Sequence, residues 1–316
     1  MGEYKYLFGP VPSRRFGRSL GVDLTPYKTC TYNCIFCQLG STTDLTSTRH
    51  ELVPMDEVLA ELTHWLQSNG QADYITLSGS GEPTLHSRFG EIFDLVQKQS
   101  SLPTLLLTNG SLLFHPEVRA MASKADVVKI SLSAWDDQSF QKINRPDTEI
   151  SFANLIHGES SFRQEFKGHL FMEVFILQGI NDSVEEVKKI ASVAQDIRPE
   201  KIQLNTAIRP PTETWAQPVD QEILQYLASY FNPEAEIIAE FSLTDNSGTY
   251  QVDTEMILSL LERRPCTLGD ISQSFNMHIN EISKYVGHLV RQKKAEVLHQ
   301  NGQVYYVGKP EKGTDN

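Results

Sequence analysis

From residue 20 to residue 206 the chain alternates between short apolar runs and longer stretches whose apolar positions recur at helical spacing. The short runs predict strands over 20–24, 74–77, 104–108, 127–133, 170–177 and 201–205. The longer stretches predict helices over 55–68, 88–99, 116–124, 152–166 and 184–197. Ser183, with Glu186 three residues on, forms a capping-box signature before the last of these. The run VVKISLS at 127–133 alternates imperfectly, as a strand covered on both faces does. Strand–helix alternation implies parallel strands joined by helical crossovers. Six such units predict an α/β fold, a partial (βα)6 barrel, with functional residues at the C-terminal ends of the strands.

The pattern changes after residue 206. Residues 207–220 (AIRPPTETWAQPVD) are Pro-rich and read as a connector, followed by a helix over 221–231. From residue 253 the pattern predicts helices over 254–264, 268–275 and 279–292. Strands over 295–299 and 303–307 then flank Asn301-Gly302, a strong hairpin turn. Three short helices and a hairpin predict a winged-helix-like domain over 253–308. The polar residues 309–316 read as a frayed tail. The expected organisation is a barrel with an N-terminal extension over 1–206, a connector and helix over 207–252, the small domain and the tail.

Composition narrows the class. Of 316 residues, 40% are hydrophobic and the net charge is −12. That acidity excludes a global attraction to nucleic acid or anionic membrane, so any such contact must be local. No apolar run approaches the roughly 20 residues of a membrane span. The segment MGEYKYLFGPVPSRR lacks the apolar core of a signal peptide. A soluble, cytoplasmic protein with no membrane partner is expected. Three of the four cysteines fall within eight positions, a crowding that points to metal rather than to disulfides.

Those three are Cys30, Cys34 and Cys37, in a C-x3-C-x2-C spacing after the first predicted strand. Three thiolates on one short loop can each bind one iron of a [4Fe–4S] cube, leaving the fourth iron open. A structural zinc site is the competing reading, but it needs four ligands, and His50 is the one fourth candidate nearby. Unligated buried thiols are a further alternative. Cys266, beside Pro265, reads as a small buried residue.

The cysteine motif, with Phe36 as the aromatic before Cys37, resembles the signature of the radical SAM superfamily. Further matches follow in strand order. Ser78-Gly-Ser-Gly81-Glu82-Pro83 resembles the family's G-G-E-P motif, with Ser80 in place of the first glycine of the pair. The resemblance implies that Gly81 and Glu82 hold the methionine ammonium. Thr108-Asn109-Gly110 and Ser131-Leu132-Ser133 resemble turns that contact the cofactor's ribose or carboxylate. Glu173 on the fifth strand and Asn205 at the end of the sixth complete the cofactor-binding candidates. For each polar residue the alternative is turn capping or strand-end hydrogen bonding.

The resemblance implies a [4Fe–4S] cluster held by Cys30, Cys34 and Cys37, which are thereby the catalytic and metal-binding cysteines, and S-adenosylmethionine as the second cofactor. It implies a flavodoxin or ferredoxin electron donor and a deoxyadenosyl radical that abstracts hydrogen from a substrate. The opening segment FGPVPSRRFGRSLGVD resembles a subgroup of iron–sulfur oxidoreductases related to the tRNA-modifying wyosine-base synthases. A tRNA nucleoside is therefore a candidate substrate. No cysteine precedes Cys30, so the second cluster of the wyosine synthases is not expected, nor are twitch or SPASM clusters. Arg14, Arg15 and Arg18 can clamp a phosphate or carboxylate, or pair with the chain's surplus acids.

The small domain offers Asn280, Lys284, His288, Arg291, Lys293 and Lys294 around its third helix. From Asp253 onward eight Lys/Arg stand against eight Asp/Glu, a thin footprint for nucleic acid, so a module that docks or presents a tRNA or protein substrate is the alternative. A different class of function is an iron–sulfur redox-sensing winged-helix regulator. The cofactor-like motifs after strands two to four favour the enzyme, since a sensor needs no methionine pocket.

Overall fold

The computed structural model describes residues 4–13, 16–68, 70–238, 254–275, 277–300 and 302–309. Its centre is an α/β unit built on a mixed, mainly parallel sheet. The strands are β1 (Leu7–Ser13), β2 (Gly17–Val22), β3 (Tyr74–Leu77), β4 (Thr104–Leu107), β5 (Val127–Ser131), β6 (His169–Phe175), β7 (Lys201–Asn205) and β8 (Glu236–Ile237). They lie side by side in chain order. β1 and β2 form an antiparallel hairpin, and every later neighbour is parallel.

Each crossover is helical. α1 (Met55–Gln67), α2 (Gly90–Gln99), α3 (Pro116–Ala122), α4 (Asp137–Ile143), α5 (Phe152–Glu165), α6 (Val184–Ile197) and α7 (Gln221–Ala228) follow in order. The capping box read at Ser183 and Glu186 starts α6. The segment 135–151, unassigned by pattern, holds α4, which starts with a second capping box at Asp136 and Ser139. Its seven residues are too short for a periodic signal to stand out.

All seven helices pack on one face. Leu20, Val22, Ile75, Leu77, Val128, Ile130, Met172 and Leu204 share a core with Val58, Phe93, Val118, Phe162, Val187 and Leu227 from the helices. Because side chains alternate along a strand, Ser19, Thr76, Lys129, Ser131, Glu173, Gln203 and Asn205 fall on the other face. The lower part of that face is filled by Phe16, Leu105 and Val127, with Tyr74, Leu107 and Phe171 against them. The imperfect alternation of β5 thus has a different cause from helices on both faces. One face is covered by helices, and the other is an inner wall with both apolar and polar positions. The sheet also continues past residue 206: Leu224 and Leu227 of α7 join the main core, and β8 pairs with β7.

The C-terminal part contains α8 (Thr254–Arg263), α9 (Leu268–Phe275) and α10 (Ile279–Arg291), then an antiparallel hairpin of β9 (Ala295–Gln300) and β10 (Gln303–Gly308). Asn301, the first residue of the turn read from sequence, and residues 310–316 of the tail lie outside the described residues. Ile257, Leu261, Ile271, Ile282, Val286 and Leu289 form a separate core, in which Cys266 is fully buried.

This unit rests on β1 and on the segment after β7. Arg263 places its guanidinium 4.1 Å above the Phe8 ring. It donates to Asp23 and, at 2.9 Å, to Ser80 Oγ. Tyr305 donates its hydroxyl to the Ile208 carbonyl at 3.2 Å. Between the two units, a cleft of about 230 Å³ runs from Leu39 and Gly40 to Arg264 and Val297. Arg263→Ala should cost roughly 1–3 kcal/mol at this contact. Amide exchange in α8 and β1 should quicken tenfold or more while α2 and α6 keep their protection. Unchanged exchange in α8 would show that Arg263 does not hold the units together.

Candidate cluster and cofactor site

The C-terminal ends of β2, β3 and β4 meet at one place. The loop after β2 carries Cys30, Cys34 and Cys37, all partly buried and none in a disulfide. It is stitched to the loop after β3 by two backbone hydrogen bonds, Lys28 N to Ser80 O (2.8 Å) and Glu82 N to Thr29 O (3.2 Å), while Ser78 N donates to Val22 O (3.2 Å) where the two strands end. Gly81 is required by that contact, because a Cβ there would lie 1.7 Å from the Thr29 carbonyl.

Glu82 is the knot of the site. It is 2% exposed. Its Oε1 accepts from Thr84 N (3.0 Å), the Thr84 hydroxyl (2.6 Å) and the Thr108 hydroxyl (2.7 Å), and Oε2 accepts from Asn109 N (2.8 Å). Every donor is neutral, and no cationic side chain pairs with Glu82 among the described residues. Burial pushes its pKa up, against the pull of those hydrogen bonds. A carboxylate in this position is completed by a buried cation. An amino acid's ammonium is such a cation.

Asn109 reaches back to the cysteine loop. Its Nδ2 donates to Thr31 Oγ1 at 2.7 Å and approaches Cys30 Sγ at 3.7 Å. Thr108 also accepts from Gly110 N at 3.1 Å, so its hydroxyl links Glu82 to the turn. Ser80 uses its hydroxyl on Asp23 Oδ2 at 2.7 Å while accepting from Arg263. The serine that replaces the family's glycine is thus part of the contact between the two units, a role with no signal in the sequence.

The remaining candidates separate into two groups. Glu173 and Asn205 meet on the inner wall, where Asn205 Nδ2 donates to Glu173 Oε1 at 2.8 Å. Lys129, which the sequence did not single out, pairs with Glu173 Oε2. Ser131 is the strand neighbour of Glu173, one residue pair above Lys129 on the same face. Ser133 is 3% exposed and accepts from Phe175 N at 3.1 Å. That bond, with Asn181 Nδ2 donating to the carbonyls of Ser133 and Phe175, both at 2.9 Å, staples the ends of β5 and β6. Ser133 therefore serves strand-end hydrogen bonding. Phe36, the motif aromatic, stacks on Phe175 with ring centres 4.1 Å apart.

Arg18 lies elsewhere. It grips Asp73 at the opposite, N-terminal end of the strands, with Nη2 at 3.1 Å from Oδ1 and Nε at 3.2 Å from Oδ2. It is no ligand clamp, because a protein carboxylate already occupies its fork. Arg14 and Arg15 lie outside the described residues. His50 is exposed, and its backbone pairs with the His86 segment.

Burial pushes the Cys30 thiol up to about 12, with the charge of Glu82 adding to the effect, and raises Cys34 as well. Each of these thiols also feels the Cys37 sulfur. Protonated thiols are poor ligands, and a metal replaces the proton outright. Among the described residues no three His, Cys, Asp or Glu side chains close around a single metal ion. A cubane is far wider than one ion, so its thiolates stand farther apart than the ligands of zinc. Three partly buried thiols on one loop, beside a buried carboxylate that lacks a cation, fit an open cluster and an amino-acid ligand.

The Radical SAM superfamily model matches residues 24–196. The chain belongs to the radical SAM superfamily. This radical SAM protein is an enzyme, and its cofactors are a [4Fe–4S] cluster and S-adenosylmethionine. A UPF0026 protein of Helicobacter pylori is 31% identical over 262 residues, 82% of this chain and 84% of that one. A Brachyspira hyodysenteriae protein named GTPase Obg is 37% identical over 96% of this chain, which spans only 45% of that relative's length. Among solved structures, TYW1 with a lysine-pyruvate adduct bound superposes with a TM-score of 0.50 at 17% identity, covering 69% of this chain and 74% of that one. No helix among the described residues of this radical SAM protein is long and apolar enough to cross a membrane.

Beneath the Asn109 turn lies a group that the sequence did not flag. Glu159 of α5 is fully buried, and neither its oxygens nor the Tyr32 hydroxyl has a hydrogen-bond partner among the described residues. A Cβ at Gly110, whose φ is +82°, would meet Glu159 Oε1 at 2.4 Å. Burial alone raises Glu159 well above the carboxylate range.

Two outcomes follow from these environments. In the folded, cluster-free protein at pH 8, Cys30 carries about a thousandfold less thiolate than a free cysteine. Its alkylation should slow in proportion, as read by peptide mass spectrometry, and reaction at the free-cysteine rate would refute the buried thiol. Glu159 keeps its proton in the native state above the pH at which the unfolded chain releases it. Its contribution to stability is therefore full below the ordinary glutamate range and is lost as pH rises through the native value. Glu159→Gln should raise the urea midpoint at pH 8 and change it little at pH 4, and a lower midpoint at pH 8 would overturn this.

Proposed function

We propose that this enzyme cleaves S-adenosylmethionine reductively at a cluster held by Cys30, Cys34 and Cys37, and acts on a nucleoside of tRNA. The observation that carries the first part is Glu82, a buried carboxylate with four neutral donors, set beside three thiols at the ends of adjacent strands. When bound, the cluster supplies the electron that breaks a carbon–sulfur bond of S-adenosylmethionine, and the adenosyl fragment takes a hydrogen atom from the substrate.

The chain's own residues bind and orient. Gly81 lets the loop after β3 lie against the cysteine loop, and Glu82 would hold the methionine ammonium. Thr108 and Asn109 hold Glu82 in place and set the distance between the β4 turn and the cysteines. Ser131, Glu173 and Asn205 line the inner wall of what we read as a partial (βα)6 barrel, where Lys129 and Glu173 offer the substrate or the ribose both a donor and an acceptor. Phe36 and Phe175 form an apolar wall that keeps water from the reacting atoms.

The tRNA reading rests on the N-terminal resemblance to wyosine-base synthases and on the C-terminal unit, read as winged-helix-like. Asn280, Lys284, His288 and Arg291 stand exposed at spacings of four, four and three along α10 and so share one side of it. Such a stripe suits RNA phosphates in spite of the neutral balance of the unit. A reduced flavodoxin or ferredoxin is the proposed electron donor, and the cytoplasm the proposed compartment.

Anaerobic reconstitution with iron and sulfide, followed by dithionite and S-adenosylmethionine, should yield 5′-deoxyadenosine. Total tRNA should raise the yield several-fold and emerge with a changed nucleoside mass. Cys34→Ala should abolish product, a loss of at least a thousandfold. A cluster-loaded protein that forms no 5′-deoxyadenosine would sink the proposal, and indifference to tRNA would remove the substrate assignment.

A further inference from the structure

Each cysteine of the triplet receives one side-chain donor, and the three donors come from three separate segments. Asn109 Nδ2 is 3.7 Å from Cys30 Sγ, Asn144 Nδ2 is 3.5 Å from Cys34 Sγ, and Lys28 Nζ is 3.1 Å from Cys37 Sγ. Two donors are neutral amides. The third is an ammonium.

Lys28 is held in place at some cost. It is only 3% exposed, and its φ of +62° lies in the left-handed region that favours glycine. Its backbone is clamped on both sides: its N–H donates to Ser80 O at 2.8 Å, and its carbonyl accepts from Thr43 N at 3.1 Å and Asp44 N at 3.3 Å. No carboxylate pairs with its ammonium among the described residues. A buried lysine is normally neutralised by a carboxylate. Here the negative partner is the cysteine loop itself.

We propose that Lys28 is a tuning residue whose buried ammonium raises the reduction potential of the cluster. The inference rests on the cluster reading above. Reduction adds one electron, taken from an external one-electron donor, to a cluster that already carries three thiolates. A fixed positive charge against one thiolate stabilises the more negative, reduced form over the oxidised form. Hydrogen bonds to ligating sulfurs act in the same direction. Asn109 and Asn144 contribute the smaller, uncharged part. The consequence is that a donor of ordinary potential reduces the cluster more completely before the cofactor is cleaved.

The test is an EPR-monitored redox titration of reconstituted protein, using dithionite and mediators and no substrate. Lys28→Gln keeps a donor and removes the charge, and Lys28→Arg keeps the charge. The reduction equilibrium constant of Lys28→Gln should fall at least tenfold, about 59 mV for a one-electron couple, with Lys28→Arg within twofold of wild type. Loss of iron and sulfide from Lys28→Gln alone, with Lys28→Arg fully loaded, would support the same charge dependence. An unshifted, fully loaded Lys28→Gln, or failure of both variants to load, would overturn the proposal. A wild-type protein that takes up no cluster would instead overturn the reading on which it rests.

Discussion

Glu82 has four hydrogen-bond donors from two turns and, through its own N–H, a hold on the cysteine loop. Burying a carboxylate without a cation is costly, and four neutral donors offset the cost only in part. Its geometry nevertheless determines that of its neighbours. Thr108 and Asn109 are placed by it, Asn109 in turn reaches Cys30, and Gly81 must stay without a side chain for the two loops to touch. Strand ends that would otherwise move independently are tied into one rigid rim. The same carboxylate that organises the rim leaves a demand for positive charge, the one that the proposed amino-acid ligand would meet.

Charge is arranged around this rim in a consistent way. Lys28 faces the sulfurs, Arg263 from the C-terminal unit faces Asp23, and Lys129 faces Glu173 on the inner wall. Each cation serves a different partner, so the site has separate places for a cluster, for a contact between units and for a polar ligand. Ser80 illustrates how closely these places adjoin. It lies in the motif that borders the cysteine loop, and its hydroxyl is spent on the contact with the C-terminal unit. The docking of that unit and the shape of the cofactor loop are therefore mechanically connected through one side chain.

Much of this was legible in the order of residues along the chain. The strand β7 and the helix α6 fall where periodicity puts them, and the other predicted strands and helices of the α/β unit lie within a few residues of their predicted bounds. The cysteine spacing and the Gly81-Glu82 turn pointed to the radical SAM superfamily, to which the chain belongs, because loop composition and ligand spacing are local properties. The short helix α4, the hairpin partner β1 and the late strand β8 escaped. They have too few residues for a period, or, for β1, a Gly-Pro interruption that hides the strand. The two readings of Arg18, ligand clamp or partner of a protein acid, could not be separated in sequence for the same kind of reason: Asp73, the acid it pairs with, is 55 positions away.

Sequence by itself determined the α/β alternation, the loop of three thiols and the acid that follows the second parallel strand, because each is written in spacing within a short window. Tertiary structure alone decided which charge meets which partner. Lys28 against Cys37, Asn144 against Cys34, Glu159 beneath Gly110 and Arg263 against Asp23 are contacts between segments that no short window contains. Their energies depend on burial and on angstrom-scale distance, and both exist only once the chain has closed on itself.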